Sequence, residues 1–495
     1  MSLALLIAAA LSGCASFTDL GPRAEPKAID QYAASQSLAG TQDLAQWPTD
    51  QWWNSYGDAQ LNTLMNEALQ GAPSMAVARA RLLKAEGSAQ QQGAALYPQI
   101  SANASLDHMK QSYNNGFPAE YVPKDYNNET RATLDFSYEI DFWGKNRAAL
   151  AAATSELQAS QADAAQARMT LTTSIASAYA ELENLYAQRD TNAAALKVRV
   201  ETLDLFRQRY TNGLETMGSV KQMEARRAMA EAQLQATDES IALQGNKLAA
   251  LSGAGPDRGL KLTRPAIDLT KPFALPANVP VNLLGRRPDI VAARLRAESA
   301  GKQIKVARAA FYPNVNLTAY FGFQSLGIDM LTSRGSDIGS IGPAISLPIF
   351  NGGKLRGQFR SASGSYDEAV ANYDQAVTQA LQDVADVTVS EKALAGRLSR
   401  VQEAADAAGE AYRIISNRYN GGLSNYLDVL NAQDTLLTNL QELSNLRSRR
   451  FSLDVALVRA LGGGYSQPES DSSDTNKTGD ASKQLAPTTE QQAKG

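Results

Sequence analysis

The chain of 495 residues contains one cysteine, Cys14, and one histidine, His108. A single cysteine excludes a disulfide framework within the chain, and a single histidine leaves little from which to build a metal site. Beyond the N-terminus there is no uncharged apolar run of about 18 residues, so no transmembrane helix is expected. The net charge of −4 gives no support to nucleic-acid binding. No nucleophile and base, phosphate loop or metal-ligand cluster stands out, so neither an enzyme nor a cofactor is expected. Glycine and proline are also missing where it matters most, from Lys145 to Asn212, between Gly144 and Gly213. A continuous helix there would be on the order of 100 Å long, too long for the inside of a compact globule.

The second half of that stretch carries a seam at steps of four and three: Ile175, Tyr179, Leu182, Tyr186, Arg189, Ala193, Leu196, Val200, Leu203, Arg207 and Tyr210. The device returns at Tyr373, Val377, Ala380, Val384, Val387, Glu391, Leu394, Leu398, Val401, Ala405, Ala408, Tyr412, Ile415 and Tyr419. A 3.5-residue period asks for partner helices wound alongside.

Alternation with a period of two appears elsewhere. Apolar even positions from Gln99 to Asp107, and again from Arg131 to Phe142, predict strands with one apolar and one polar face. Two more follow, one over Asn314 to Phe323 and one around Ile341 to Ile349. Ten residues is the length of a tilted membrane strand, and polar-in, apolar-out alternation suits a water-filled barrel in lipid. The lipid-facing set is then Ile100, Leu106, Leu134, Phe136, Leu317, Phe321, Ile345 and Leu347. Four strands are too few to close a barrel, so a barrel must be shared among subunits. A soluble sandwich is the alternative, and four strands are few for that as well.

The chain is duplicated. Leu96-Tyr97-Pro98 recurs as Phe311-Tyr312-Pro313, Asp141-Phe142-Trp143-Gly144-Lys145 is echoed by Ile349 to Lys354, and Arg209 to Leu214 recurs as Arg418 to Leu423. Leu251-Ser252-Gly253 is matched to Leu461-Gly462-Gly463. The expected organisation is a signal peptide over 1–13, a lipidated extended arm over 14–57, and a first repeat over 58–256 with strands near 99–109 and 130–142. A linker follows over 257–280, then a second repeat over 281–465 with strands near 313–324 and 338–350, and a disordered tail over 466–495. Within this plan Asp58 caps an amphipathic helix running roughly from Ala59 to Ala95, and Trp52 and Trp53 are packing residues. The apolar run before Cys14 is too short to span a bilayer and ends in small residues, as an export signal does, though no Lys or Arg precedes it. Leu11-Ser12-Gly13-Cys14 resembles a bacterial lipoprotein box, which marks Cys14 for lipidation. One acyl-type anchor holds weakly, so a second membrane element is required.

At this point the chain resembles the outer-membrane factors of bacterial tripartite efflux systems, the TolC and OprM type and especially its lipoprotein branch. The residues that carry the resemblance are Leu284-Gly285-Arg286-Arg287-Pro288-Asp289-Ile290, Ala309 to Pro313, Leu347 to Phe350 and Ala460 to Gly464. It implies an α+β membrane protein: a homotrimer whose 12-stranded transmembrane β-barrel, four strands per chain, continues into a 12-helix periplasmic α-barrel. It implies a passive duct that carries small molecules across the outer membrane when docked to a periplasmic adaptor and an inner-membrane transporter, of the resistance-nodulation-division or major-facilitator type. A type I protein-secretion duct is a closer rival than a coiled-coil structural lipoprotein, which has no use for amphipathic strands.

Arg286, Arg287 and Asp289 read either as an anion-binding cluster or as a helix start, with Pro288 at the first position and Asp289 complementing the helix dipole. Gly213 and Gly422 end the long helices in residues suited to a left-handed cap. By resemblance, Gly213, Leu214, Gly422, Leu423 and Ser424 lie at periplasmic tips that meet the adaptor. The segment after the second tip matches the family's entrance gate, where acidic residues form rings. Asp428 keeps the first acidic position and Asn431 stands at the second, so one ring of three carboxylates is implied. Otherwise Asp428 is an ordinary first-turn carboxylate.

Overall fold

The structure, a computed structural model, describes residues 22–34, 36–37, 46–116, 118–267, 274–276 and 278–467. The expected signal segment, Cys14 and all but the first two residues of the expected disordered tail lie outside them. In chain order the regular elements are α1 (Ala59–Gly71), α2 (Pro73–Ala94), β1 (Gln99–Met109), β2 (Asn127–Glu139), α3 (Lys145–Thr211) and α4 (Met217–Leu251). After the linker come α5 (Val279–Arg286), α6 (Pro288–Ala309), β3 (Asn314–Leu326), β4 (Asp337–Ser346), α7 (Lys354–Asn420) and α8 (Tyr426–Ala460).

The duplication is visible in lengths. α3 and α7 each have 67 residues, α4 and α8 each have 35, and α2 and α6 each have 22. Helix starts are offset by 288 − 73 = 215 before the strands and by 354 − 145 = 426 − 217 = 209 after them.

The single helix expected over Ala59–Ala95 is two helices. Pro73 disfavours helical dihedrals at the residue before it, and Ala72 is extended at ψ 131°. β2 lies three residues earlier than expected because Asp141 does different work: its carboxylate accepts from the backbone N–H groups of Asn146 (3.2 Å) and Arg147 (2.9 Å) at the start of α3. β4 ends at Ser346 rather than at Phe350, where Leu347-Pro348 leaves the ladder.

α3 forms a hairpin with α4, α7 forms one with α8, and α3 lies beside α8, so one half of the helical layer runs α4-α3-α8-α7. Nearer the sheet, α2 and α6 take over as neighbours of α3 and α7. The changeover is made by two glycines in left-handed conformation. A Cβ on Gly253 would sit 2.6 Å from the carbonyl oxygen of Gly71, and one on Gly462 would sit 2.0 Å from that of Arg286. Both contacts press a helix end against the residues just before a helix-opening proline. They also correct the expected register by one: Gly253 corresponds to Gly462, since 462 − 253 = 209.

The α7 seam is the buried face over Val377, Ala380, Val384, Val387, Leu394, Ala405, Ala408 and Tyr419. Glu391 interrupts it; burial raises its carboxyl above the ordinary range, Asp454 adds to the rise and Arg450 opposes it. On α3 the expected seam drifts. Ile175, Tyr179 and Leu182 are buried, but near the tip the buried residues are Thr202, Leu203 and Phe206, while Arg207 and Tyr210 face outward. α7 holds its 3.5 register to Tyr419, whereas α3 turns nearer 3.6 residues per turn toward its tip, where a slip of about 20° per heptad has moved its buried face by one position.

The linker is tied down. Arg258 pairs with Glu67 at 2.9 Å, and Ala266 donates its N–H to Asp58 at 2.8 Å. Asp58, 4% exposed, also caps α1 through Leu61 N–H (3.0 Å) and accepts from the Tyr179 hydroxyl (2.8 Å). The N-terminal arm runs along α7, with the N–H groups of Ala24 and Lys27 bonded to Asp367 (3.2 Å) and Asp374 (3.0 Å).

Candidate functional site

The four strands form one antiparallel sheet in the order β1-β2-β3-β4. Register puts Ile100 opposite Phe136, Leu134 opposite Phe321 and Val315 opposite Ile345, so the apolar positions of all four strands share one face. That face is open: Ile100 is 71% exposed, Phe321 61% and Ile345 70%, and no described element covers them. A sandwich would have buried them. On the other face Asn103 donates to Asp135 at 2.8 Å, Gln324 donates to Glu129 at 2.6 Å, and Arg131 lies over the Tyr320 ring at 5.1 Å. Of the eight positions expected to face lipid, Phe136 and Leu317 are half-buried on the apolar face, and Leu347 lies one residue past β4.

At the helical end, both long helices finish in the same cap. Leu214 N–H bonds to Arg209 C=O and Gly213 N–H to Tyr210 C=O; Leu423 N–H bonds to Arg418 C=O and Gly422 N–H to Tyr419 C=O. Gly213 and Gly422 take φ +75° and +76°, which an L side chain rarely adopts. Leu214 and Leu423 are left 63% and 72% exposed, with Met217 and Leu427 open beside them.

Asp428 sits at the third position of α8 in a capping box. Its Oδ2 accepts from Asn425 N–H (3.3 Å) and from the Ser424 hydroxyl (2.8 Å), while Asn425 Oδ1 accepts from Asp428 N–H (3.0 Å). The equivalent position of the first repeat, 428 − 209 = 219, is Ser219, so this capping carboxylate has no counterpart at the first tip. Asn431 is exposed one turn further on.

Two groups that sequence reading missed join the hairpins. The Tyr419 hydroxyl donates to Glu215 at 2.5 Å while the Arg209 guanidinium lies 4.5 Å from the Tyr419 ring centre. Burial, and then Glu215, push the Tyr419 hydroxyl well above its ordinary range. Further from the tip, Asp434 of α8 pairs with Arg199 of α3 and, at 2.9 Å, with Arg226 of α4, beside the fully buried Gln433. The signal was present: Gln433 follows Val429 and Leu430 at helical spacing, a polar residue at a core position.

The Arg286 to Asp289 group is brought together, but as a joint. Arg287 is extended at the residue before Pro288 and α6 starts at that proline. The Arg287 guanidinium, 5% exposed, grips Asp289 through two bonds (3.0 and 2.6 Å) and reaches Asp383 of α7 at 2.7 Å. Burial alone would lower its proton affinity; the two carboxylates outweigh that and hold it above the ordinary value. Arg286 lies over the Trp47 ring at 4.9 Å.

A family model described as outer membrane efflux protein matches residues 64–254 and 279–463. The fusaric acid resistance protein FusA of Burkholderia cepacia is 37% identical over 368 residues, 72% of this chain and 68% of that protein. The multidrug resistance outer membrane protein MdtP of Escherichia coli O6:H1 is 29% identical over 427 residues, 85% and 87% of the two chains. Among solved structures, the outer membrane protein VceC of Vibrio cholerae aligns with a TM-score of 0.80 at 50% identity, over 84% of this chain and 100% of that one. The Campylobacter jejuni CmeC outer membrane channel aligns at 0.82 with 24% identity, over 91% and 96%, which speaks to fold alone.

Proposed function

We propose a mechanism from one premise: this chain belongs to the outer membrane efflux protein family. It is an outer-membrane efflux channel. Its working form, on our reading, is a trimer of twelve strands and twelve helices, a passive duct between an adaptor with its inner-membrane transporter and the exterior. The names of FusA and MdtP favour small toxic organic molecules as cargo over a secreted protein.

The observation that carries this reading is an exposed apolar sheet face on a sheet with two open edges. Gln324 N–H bonds to Ser336 C=O, so the even-numbered residues of β4 point their backbone groups at β3 and the odd ones point outward. Pro343, which has no N–H, is odd, so its missing donor costs nothing within this chain. Lipid does not tolerate such edges, and neighbouring copies close them. The outer helices support the same arrangement. α7 has a second stripe at 3.5 spacing, Val389, Ala393, Gly396, Arg400, Ala404, Ala407, Ala411 and Ile414, all exposed, and α4 exposes Met229, Ala232, Ala236 and Leu243. A heat-labile trimer is expected in detergent, and a monomer by light scattering would rule the barrel out. Phe136→Arg is expected to impair membrane assembly strongly, by about 2–4 kcal/mol per copy at mid-bilayer depth, and Ser137→Arg much less; the reverse order would mean that the faces are inverted.

The arm supports a lipid anchor at Cys14. Going from Lys27 to Ala24 moves its contacts from Asp374 to Asp367, toward the sheet. Asp367 is 13 residues from the start of α7, about 20 Å. The ten residue steps from Ala24 to Cys14 span up to about 33 Å, enough to reach the membrane boundary. On this reading the sheet is the second membrane element that a single acyl-type anchor requires.

Asp428 remains our gate residue, with Asn431 in a lesser role. A threefold carboxylate ring at a constriction favours cations. Asp428→Asn keeps both hydrogen-bond acceptors of the capping box and removes only the charge. Cation selectivity and multivalent-cation block in planar bilayers are expected to weaken in Asp428→Asn, with a milder effect in Asn431→Ala. Unchanged selectivity and block in Asp428→Asn would return the residue to capping alone.

A further inference from the structure

The described helices carry ion pairs along most of their length, yet one surface near the sheet is cationic without compensation. Residues 299–328 and 338–366 contain no Asp or Glu, while Lys305, Lys354, Arg356 and Arg360 lie within them. Lys305, Arg356 and Arg360 are exposed, and none makes an ion pair among the described residues.

They share one side of the helical layer. Arg356 is five turns from Asp374 (374 − 356 = 18) and Arg360 two turns from Asp367, so both arginines lie on the α7 face that carries the arm. Lys305 is about three turns from Arg294 (305 − 294 = 11), whose guanidinium reaches Gln467 at 2.7 Å, on the side where Gln467 N–H bonds to Gly285 of α5. The arm, linker and α5 pack over α7 in one apolar cluster, so this is the covered, outer side of the layer rather than an open lumen. α6 and α7 run antiparallel: Phe311 meets Phe359, and Gly301 lies against the Tyr366 ring, which brings Lys305 level with Arg360. Toward the sheet the chain then presents Ile349 and Phe350, 78% and 91% exposed, with Trp143 stacked on Tyr312 at 4.6 Å at the same end of the sheet. An apolar and aromatic rim followed by unpaired cations, with Arg356 and Arg360 about 3 and 9 Å along α7 from its first residue, is the profile of a membrane–water boundary.

We infer that Lys305, Arg356 and Arg360 form a binding surface for the anionic headgroup of a phospholipid in the periplasmic leaflet, whose acyl chains lie against Ile349 and Phe350. The inference rests on the reading that the sheet spans the membrane. Lysine and arginine present charge to the phosphate, and Arg adds paired N–H donors that phosphatidylethanolamine, with its own ammonium group, satisfies less well than phosphatidylglycerol. Each cation near an anionic surface contributes roughly a fivefold preference, screened by salt.

Full-length trimer, purified in detergent and exposed to equal amounts of phosphatidylglycerol and phosphatidylethanolamine, is read by native mass spectrometry, with flotation on vesicles of the same lipids as a control. Retention of phosphatidylglycerol over phosphatidylethanolamine is expected, falling by roughly 25-fold in Arg356→Gln/Arg360→Gln while that variant floats and remains trimeric. Equal retention of the two lipids by a floating wild-type trimer, or undiminished preference in the double variant, overturns the headgroup surface and leaves the barrel untouched. Failure of the wild type to float overturns the barrel reading instead. Loss of bound phosphatidylglycerol in millimolar inorganic phosphate would reveal a general phosphate site and overturn the lipid assignment.

Discussion

Replacing Arg287 with alanine is expected to lower the stability of the purified channel by about 3–5 kcal/mol, the range for removing one partner of a buried ion pair. The guanidinium is 5% exposed and is shared by Asp289 at the start of α6, Asp383 in the middle of α7 and, at 3.4 Å, the Ala460 carbonyl at the end of α8. Its loss leaves two carboxylates facing each other with their common cation gone, at the point where three helices meet. Arg287→Lys is also expected to be unstable, because a single ammonium cannot hold Asp289 through two parallel bonds and reach Asp383 together. Arg287→Ala/Asp383→Ala should be less damaging than the sum of its parts, since the second change removes an orphaned charge. Chemical denaturation in detergent reads the effect, with the temperature of trimer dissociation on gels as a second measure. An Arg287→Ala channel that unfolds like the wild type would remove the joint from this account.

Much of this fold was legible because its elements are long and periodic. The absence of Gly and Pro from Lys145 to Asn212 bounds α3 to within one residue, and strict alternation gives β1 its first residue, although the pattern stops at Asp107, two residues short of Met109. Legibility failed where a residue's work is done out of sequence. Asp141 continues the strand pattern but caps α3, and Pro73 divides a run whose apolar spacing is uninterrupted. The α3 seam was extended at a constant 3.5 step, whereas near its tip the helix buries Phe206 in place of Arg207. Gly253 and Gly462 needed the facing carbonyls before their correspondence could be fixed to the residue.

The site divides in the same way. The tip glycines stand where the sequence put them, because a left-handed cap at a helix end is written locally. Arg287 was legible locally as one of two readings, a helix start or an anion-binding cluster, but Asp383 is 96 residues away and nothing local announces it. Likewise, Asp434 with Arg199 and Arg226, and Tyr419 with Glu215, are pairings between hairpins, made by packing that a single seam does not encode. Such ties join α3 and α4 to α8, and the end of α7 to the first tip, so the two tips are held as one surface.

That surface bears the second large effect. Leu214→Asp/Leu423→Asp is expected to reduce drug resistance in a strain lacking its own channel to that of the empty vector, while the trimer assembles in normal amount. In the cap that ends both long helices, the residue after the glycine ordinarily packs back on its own helix. Here those two leucines are 63% and 72% exposed, so the chain itself makes little use of their apolar surface. Burying each against an adaptor contributes roughly 1.5–3 kcal/mol, and three copies of two leucines multiply that. An aspartate in each place forfeits this term and adds the cost of desolvating an unpaired carboxylate. The cap itself is unaffected, because its hydrogen bonds use the backbone N–H groups of residues 213, 214, 422 and 423 and its left-handed turns belong to Gly213 and Gly422. Leu214→Met/Leu423→Met, which keeps the apolar surface, should retain resistance. Wild-type resistance in the double aspartate variant would place adaptor docking elsewhere on the helices, and the exposed leucines would then be no more than the outward ends of two helix caps.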